Sequence, residues 1–278
     1  MRVDLHIHTR ASDGTWTPAQ LFEHVRATGV GLFAVADHDS IGSLAECEAL
    51  VRGSGLRFLR AVEVSTTWNG ALYHMLAYGI NPASAGSAAL HRLLDSNRRL
   101  LEEANRESLE LLCRDGFPVD LEAYDAYVND PGRGGWKGLN FLVDQGLCAD
   151  VRDYFDRLFN ADRPIPFPVF PSPAEVIAAI RAAGGVPILA HPGSPWLPIG
   201  EEVLEAFRQA GLRGLECYTS YHDAATSQRF VAWCQRYDLL ITGGSDCHGD
   251  FAPGRKLGFP PLEDTELRLG ELAERVIT

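Results

Sequence analysis

Short apolar runs alternate with helical segments toward both ends of the chain. Arg2 to Ile7 reads as a strand. Thr17-Pro18 opens a helix, with a hydroxyl as N-cap and proline at the first helical position, and Gly29 closes it. Gly31 to Ala36 is a wholly apolar strand, and Ser40 stands where it can cap a second helix that Gly53 ends. Arg57 to Val64 and Ala71 to Tyr78 read as two further strands. After position 170 the alternation resumes. Helices are predicted from Ser172-Pro173 to Ala183, from Glu201 to Ala210 and from Ala224 to Tyr237. They lead into strands at Val186 to Ala190, Arg213 to Cys217 and Leu239 to Thr242. Apolar strands joined by helical crossovers predict an α/β fold whose parallel sheet is covered on both faces.

Between Leu90 and about Pro168 this rhythm breaks. A long charged helix is predicted from Leu90 to Cys113, followed by a Gly-rich stretch from Pro131 to Gly138 and a Pro-rich one from Arg163 to Pro173. Residues 90–168 therefore read as a mainly helical insertion, with 1–89 and 169–278 forming the α/β body.

Composition narrows the chemistry. With 278 residues, 46% of them hydrophobic, the chain can bury a full core. Its 25 basic and 37 acidic residues give a net charge of −12. That surface repels membranes and long duplex nucleic acid, so an anionic substrate needs local cations to hold it. Six cysteines without a CxxC pair predict free thiols in a reducing cytoplasm. No run of 18 apolar residues is present, so neither a membrane span nor a secretion leader is expected.

The chain has nine histidines, and six of them fall in motifs on or just after strands. His6 and His8 lie two apart at the end of the first strand in DLHIHT, so extended backbone turns both to one side. His38 follows the second strand in ADHDS, Glu63 ends the third, and His74 lies in the fourth. His191 follows the fifth in LAHPG, and Asp246 and His248 follow the last in GGSDCHG. In parallel α/β folds, active sites are built at strand C-termini. Imidazoles and carboxylates gathered there are ligands for a catalytic divalent ion, and the absence of a thiolate favours Mn²⁺, Fe²⁺ or Zn²⁺, with Mn²⁺ the first expectation.

The motifs DLHIHT, ADHDS, AHPG and GGSDCHG resemble those of the PHP (polymerase and histidinol phosphatase) superfamily. The resemblance spans the chain outside the insertion. It implies a distorted seven-stranded β/α barrel of TIM-like type and a cluster of two to three divalent ions. Carried onto this chain, one ion would take His6, His8, Glu63 and Asp246. A second would share Glu63 and add His74 and His191, and a third would take Asp13, His38 and His248. Asp13 departs from the pattern, because relatives often carry histidine there. ASDG followed by a Thr-Pro helix start is similar to a branch of small bacterial phosphoesterases. Its members remove the 3′-phosphate of nucleoside 3′,5′-bisphosphates or trim short 5′-phosphorylated RNA.

The expected activity is thus phosphomonoester hydrolysis by metal-activated water, with a small phosphorylated nucleotide as substrate. An exoribonuclease on short single-stranded RNA is the first alternative, and a histidinol-phosphate-type phosphatase or an amidohydrolase the next. His222, at the end of the sixth strand, is a candidate proton donor and substrate contact. Asp37 is a candidate catalytic side chain, and both it and Asp39 flank His38 and could orient imidazoles. In the insertion, Arg133 and Lys137 are candidate phosphate contacts and Trp136 a candidate stacking partner for a base. His24, His91 and Cys247 are expected to be structural.

Overall fold

The computed structural model describes residues 1–194 and 199–278. In chain order its elements are β1 (Arg2–Ile7), α1 (Pro18–Thr28), β2 (Leu32–Val35), α2 (Leu44–Val51), β3 (Arg57–Arg60), β4 (Glu63–Trp68) and β5 (Ala71–Tyr78). Then come α3 (Ala88–Arg114), α4 (Leu121–Ala126), α5 (Lys137–Asp144) and α6 (Val151–Asp153). The remainder comprises α7 (Pro173–Ala182), β6 (Val186–Leu189), α8 (Glu201–Ala210), β7 (Gly214–Thr219), α9 (Ala224–Arg236), β8 (Leu240–Gly244) and β9 (Leu262–Glu263).

Local chemistry explains the helix starts. Thr17 and Gln20 form a reciprocal capping box ahead of Pro18, and Ser172 and Glu175 do the same ahead of Pro173. The second helix departs from expectation. It begins at Leu44 with Ser43 as its N-cap, and the Ser43 hydroxyl caps nothing because it donates to Asp37 Oδ2 (2.5 Å).

The strands form two sheets, ordered β3-β2-β1-β9 and β4-β5-β6-β7-β8. This corrects the expected all-parallel arrangement, and no closed seven-stranded barrel forms among the described residues. The predicted third strand breaks after Arg60, so that β3 pairs with β2 while Glu63 opens β4 in the other sheet. Asn69-Gly70 then closes β4 and β5 into a hairpin, both residues having positive φ (49° and 78°). Such a two-residue turn permits only antiparallel pairing. β5 also runs antiparallel to β6, whereas β6, β7 and β8 are parallel.

The two sheets meet at two seams held by a few backbone hydrogen bonds. At one, Asp246 N donates to His6 O (2.8 Å) and His8 N to Cys247 O (2.9 Å). At the other, Asp39 N donates to Glu63 O (2.8 Å) and Glu63 N to Asp37 O (3.2 Å). One face of the strands builds an inner cluster with Leu5, Ala34, Leu59, Leu76, Tyr78 and Ile188, closed below by Leu272 of the C-terminal segment. The other face packs Phe33, Met75 and Leu189 against the helices.

Residues of the predicted insertion have a core of their own around Leu112, Phe141, Tyr154 and Leu158. α3 joins the two regions: Leu90 and Leu94 pack in the outer core of the sheets, and Leu109 and Leu112 in the separate one. All six cysteines are free, and no helix among the described residues is long and apolar enough to cross a membrane.

Candidate metal centre

Both seams end in histidines and carboxylates, and these converge on Glu63. Its side chain is fully buried at the first position of β4. Oε1 faces His74 Nδ1 (3.1 Å) and His191 Nε2 (3.0 Å). Oε2 faces His6 Nε2 (3.2 Å), His8 Nε2 (3.3 Å) and His38 Nδ1 (3.1 Å). Asp246 Oδ1 completes a four-donor group, 3.0 Å from His8 Nε2 and 3.5 Å from His6 Nε2. His6 and His8 Nε2 lie 3.1 Å apart, as the HxH spacing leads one to expect.

These spacings fit a cation. Four donors around a Zn²⁺-like ion at 2.0–2.2 Å stand about 3.4 Å from one another. Glu63 Oε2, Asp246 Oδ1 and His74 Nδ1 are buried yet make no hydrogen bond among the described residues. Buried polar atoms are costly to leave unpaired, and atoms that converge without pairing are what an ion between them would satisfy. Three donor groups could each hold one: His6, His8, Glu63 and Asp246; His38, Glu63 and His74; and His8, Asp13, His38 and His248. His191 adjoins the second through Glu63. His38 touches two groups, with Nδ1 on Glu63 and Nε2 3.9 Å from Asp13 Oδ2. Asp13 Oδ2 also lies 3.3 Å from His248 Nε2.

The imidazoles are oriented from behind. Glu216 Oε1 faces His6 Nδ1 (3.0 Å), and its Oε2 accepts from His191 N (2.8 Å). His248 Nδ1 lies 2.8 Å from Asp246 O, which fixes its proton there and leaves the Nε2 lone pair for the cluster. Asp39, His191 and Asp246 have left-handed backbones (φ 45°, 26° and 53°). Strain of this kind costs about 1–3 kcal/mol per residue and gathers at functional sites.

Without ions, opposite charges share the work. Burial opposes ionisation of Glu63, but the imidazoles of His38, His6 and His74 hold its carboxyl well below the usual range. Burial also disfavours the His8 imidazolium, which Asp246 and Glu63 nevertheless lift to a pKa of about 10. For His38, burial wins and pushes the pKa down to about 3.

Several sequence candidates fall elsewhere. Among the described residues Asp37 makes its hydrogen bonds to Thr9, Ser12 and Ser43 rather than to an imidazole. It accepts from Thr9 N (2.7 Å), Ser12 Oγ (2.9 Å) and Ser43 Oγ, and so pegs the loop after β1. Asp39 accepts from Ser65 Oγ (2.7 Å) and Asn97 Nδ2 (2.7 Å). His222 has both ring nitrogens against backbone carbonyls, Cys217 O (2.9 Å) and Pro192 O (2.6 Å), and it is in none of the donor groups. Its neighbour Tyr221 reaches Asp246 instead. Arg133 is tied to Asp144 (2.7 Å) and to Tyr127 Oη (3.2 Å) inside the insertion, because the loop that carries it folds onto α5. Sequence reasoning also missed Arg98 and Arg255, since nothing in a local motif marks either one. His24 stacks on Trp16 (ring centroids 4.0 Å apart), and neither His24 nor His91 enters a donor group.

Beside the donors opens a cavity of about 500 Å³. Its lining includes Asp13, His38 and His74 of the donor groups, and Trp136, Lys137 and Phe155 of the predicted insertion.

No family model matches the chain. It is 30% identical to the 3′,5′-nucleoside bisphosphate phosphatase of Chromobacterium violaceum, over 94% of this chain and 93% of that one. It is 28% identical to a 5′-3′ exoribonuclease of Haemophilus influenzae, over 89% and 90%. Among solved structures, one described as a metal-dependent phosphoesterase from Bifidobacterium adolescentis superposes with a TM-score of 0.83 at 30% identity, covering 98% of this chain and 96% of that one. End-to-end similarity at this level joins the histidine motifs, the two-sheet fold and the buried donor cluster in one conclusion: the chain belongs to the PHP superfamily and is a hydrolase of phosphate esters.

Proposed function

We propose that the protein removes the 3′-phosphate from nucleoside 3′,5′-bisphosphates, using two or three divalent ions, Mn²⁺ foremost. The observation that carries this reading is the cavity that joins the donor cluster to the insertion. Its volume lies within the roughly 300–1,000 Å³ of small-molecule sites. Its lining combines His38, His74 and Asp13 with Leu72, Leu101, Trp136 and Phe170, an apolar surface for the face of a base. The similarity to a bisphosphate phosphatase supports the same choice.

In this reading His6, His8, Glu63 and Asp246 would hold a first ion, Glu63, His74 and His191 with His38 adjoining a second, and Asp13, His38 and His248 a third. Bound there, they would supply activation of water and charge neutralisation at the phosphoryl group. The chain's own residues do the positioning. Glu63 presents one oxygen to each of two donor groups, and Glu216 keeps the His6 proton on Nδ1. The insertion, residues 90–168, covers the cavity and limits water. Among the described residues, Lys137 and Arg98 are the only Lys or Arg side chains in its lining. Lys137 Nζ rests over the Tyr124 ring at 4.5 Å, and Arg98 is fixed by Asp39 O (2.9 Å). Lys137 thus meets the second phosphate as a point charge, without the bidentate clamp expected of Arg133.

An exoribonuclease reading has one observation in its favour. Phe155 and Phe167, which line the cavity, are 43% and 58% exposed and offer further bases a surface to stack on. Comparing kcat/KM of the Mn²⁺-loaded enzyme on adenosine 3′,5′-bisphosphate, histidinol phosphate and a 5′-phosphorylated oligoribonucleotide decides between them. The bisphosphate is expected to lead, and the oligoribonucleotide leading would overturn the proposal. Lys137→Ala is expected to cost roughly 10–100-fold in kcat/KM on the bisphosphate, the value of one charged hydrogen bond, and far less on a 3′-monophosphate. Arg133→Ala is expected to treat both substrates alike.

Glu216→Gln supplies a test of the support behind the ligands. An amide offers one acceptor where His6 Nδ1 and His191 N each use one. A loss of roughly 10–100-fold in metal affinity is expected, read by titrating the metal-free protein.

A further inference from the structure

One oxygen of Asp246 is held by two side chains that no histidine motif marks. Tyr221 Oη donates to Asp246 Oδ2 (2.5 Å), and Arg255 Nη1 donates to the same atom (2.9 Å). The guanidinium of Arg255 lies over the Tyr221 ring, 5.1 Å from its centroid, so each donor steadies the other. The remaining oxygen, Oδ1, is the buried atom without a hydrogen bond that faces His8 and His6. Asp246 stands beyond the end of β8 at φ 53°, where sheet register no longer aims its side chain.

The loop that carries Arg255 is anchored as well. Asp4, buried in β1, accepts from Gly258 N (2.8 Å) through Oδ2 and from Ser245 N (2.9 Å) through Oδ1. Arg2 Nη2 donates to Gly258 O (3.0 Å). A single buried carboxylate therefore ties together the segment before Asp246 and the segment after Arg255.

We propose that Tyr221 and Arg255 form a brace that fixes Asp246 as a one-oxygen ligand, and that this brace sets the affinity of the first divalent-ion position. The inference rests on the reading that Asp246 Oδ1 is a metal ligand. Its sign separates it from plain electrostatics. A guanidinium beside a divalent site repels the ion, so removing that charge alone would tighten binding. If the brace governs, removing Arg255 weakens binding, because the freed carboxylate rotates among orientations that no longer present Oδ1. Tyr221 carries no charge, so its hydroxyl reports orientation alone. Both are positioning residues, acting through Asp246.

The test is a Mn²⁺ titration of the chelator-stripped full chain, followed by the electron paramagnetic resonance signal of free Mn²⁺, with circular dichroism to verify folding. Tyr221→Phe and Arg255→Met are each expected to weaken the tightest site by roughly 10–100-fold, as losses of ligand-orienting partners do. Arg255→Lys, which can return one N–H to Oδ2, is expected to recover part of the loss, and Lys256→Met to change nothing. Tighter Mn²⁺ binding in Arg255→Met, or unchanged binding in both variants, would overturn the brace. A rise in KM with Mn²⁺ affinity unchanged would also overturn it and make Arg255 a substrate contact. Asp246→Asn separates the two levels. If it binds Mn²⁺ as the wild type does, the ligand reading has failed. If it alone loses the tight site, only the brace has failed. Should Arg255→Met not fold, Tyr221→Phe, which removes a single hydroxyl, still decides the question.

Discussion

Glu63→Gln is expected to lower kcat by roughly 10²–10⁴-fold and to remove two metal equivalents together. Both carboxylate oxygens are engaged, Oε1 toward His74 and His191 and Oε2 toward His6, His8 and His38. The amide keeps the shape but replaces one of these oxygens by a donor aimed at imidazole lone pairs, and it removes the charge that holds a cation. Taking one partner from a buried charged pair costs about 3–5 kcal/mol, and each 1.36 kcal/mol is tenfold in rate. Kinetics and elemental analysis on the same preparation check both parts. Loss of one equivalent with the other retained would show that Glu63 serves a single ion. His24→Ala, which disturbs only a stack on Trp16, is expected to leave rate and metal content unchanged.

The second large effect is on stability. At a free Mn²⁺ concentration about 1,000 times Kd, each ion that binds only the folded chain stabilises it by about 4.1 kcal/mol. For two ions, at roughly 2–4 °C per kcal/mol in a chain of this size, Tm is expected to rise by roughly 15 °C or more. The pH dependence has opposite signs with and without metal. In the metal-free protein the His8 pKa is raised to about 10 from an ordinary value of 6.5. Its contribution to stability is therefore full below pH 6.5 and is lost as pH rises toward 10. Ligated imidazoles must be neutral, so ion binding displaces those protons and strengthens with pH. Between pH 6.5 and 8.5 the metal-free Tm is expected to fall while the Mn²⁺-dependent gain grows. Thermal unfolding with chelator and with Mn²⁺ measures both. A gain that shrinks with pH would mean that His8 is not displaced from its proton.

Much of the site was legible because it lies in short local patterns. Two histidines two apart at a strand end must share a face, and His6 and His8 do. ADHDS, AHPG and SDCH each place a candidate ligand at the end of an element, where backbone leaves the sheet and side chains converge. Helix caps were equally local, and the Thr17-Pro18 and Ser172-Pro173 starts stand where they were expected. The break in rhythm after Leu90 is also local, and Leu112, Phe141 and Tyr154 beyond it pack in a cluster apart from those of the sheets.

What only tertiary structure decided were the pairings between distant residues. The sheet at Arg57 to Tyr78 depended on whether one apolar run stayed whole. It split at Glu63, because the chain changes sheets there, and the Asn69-Gly70 turn reversed the next strand. His222 and Tyr221 are neighbours in sequence, but only the fold turns one onto backbone carbonyls and the other onto Asp246. Arg133 lost its expected role to Asp144, eleven positions on, and Arg255 gained one from a loop anchored on Asp4, more than two hundred positions away. Ligand chemistry is set by residue type and short spacing, which a sequence displays. The orientation of each ligand is set by hydrogen bonds whose partners the chain brings together only when it folds.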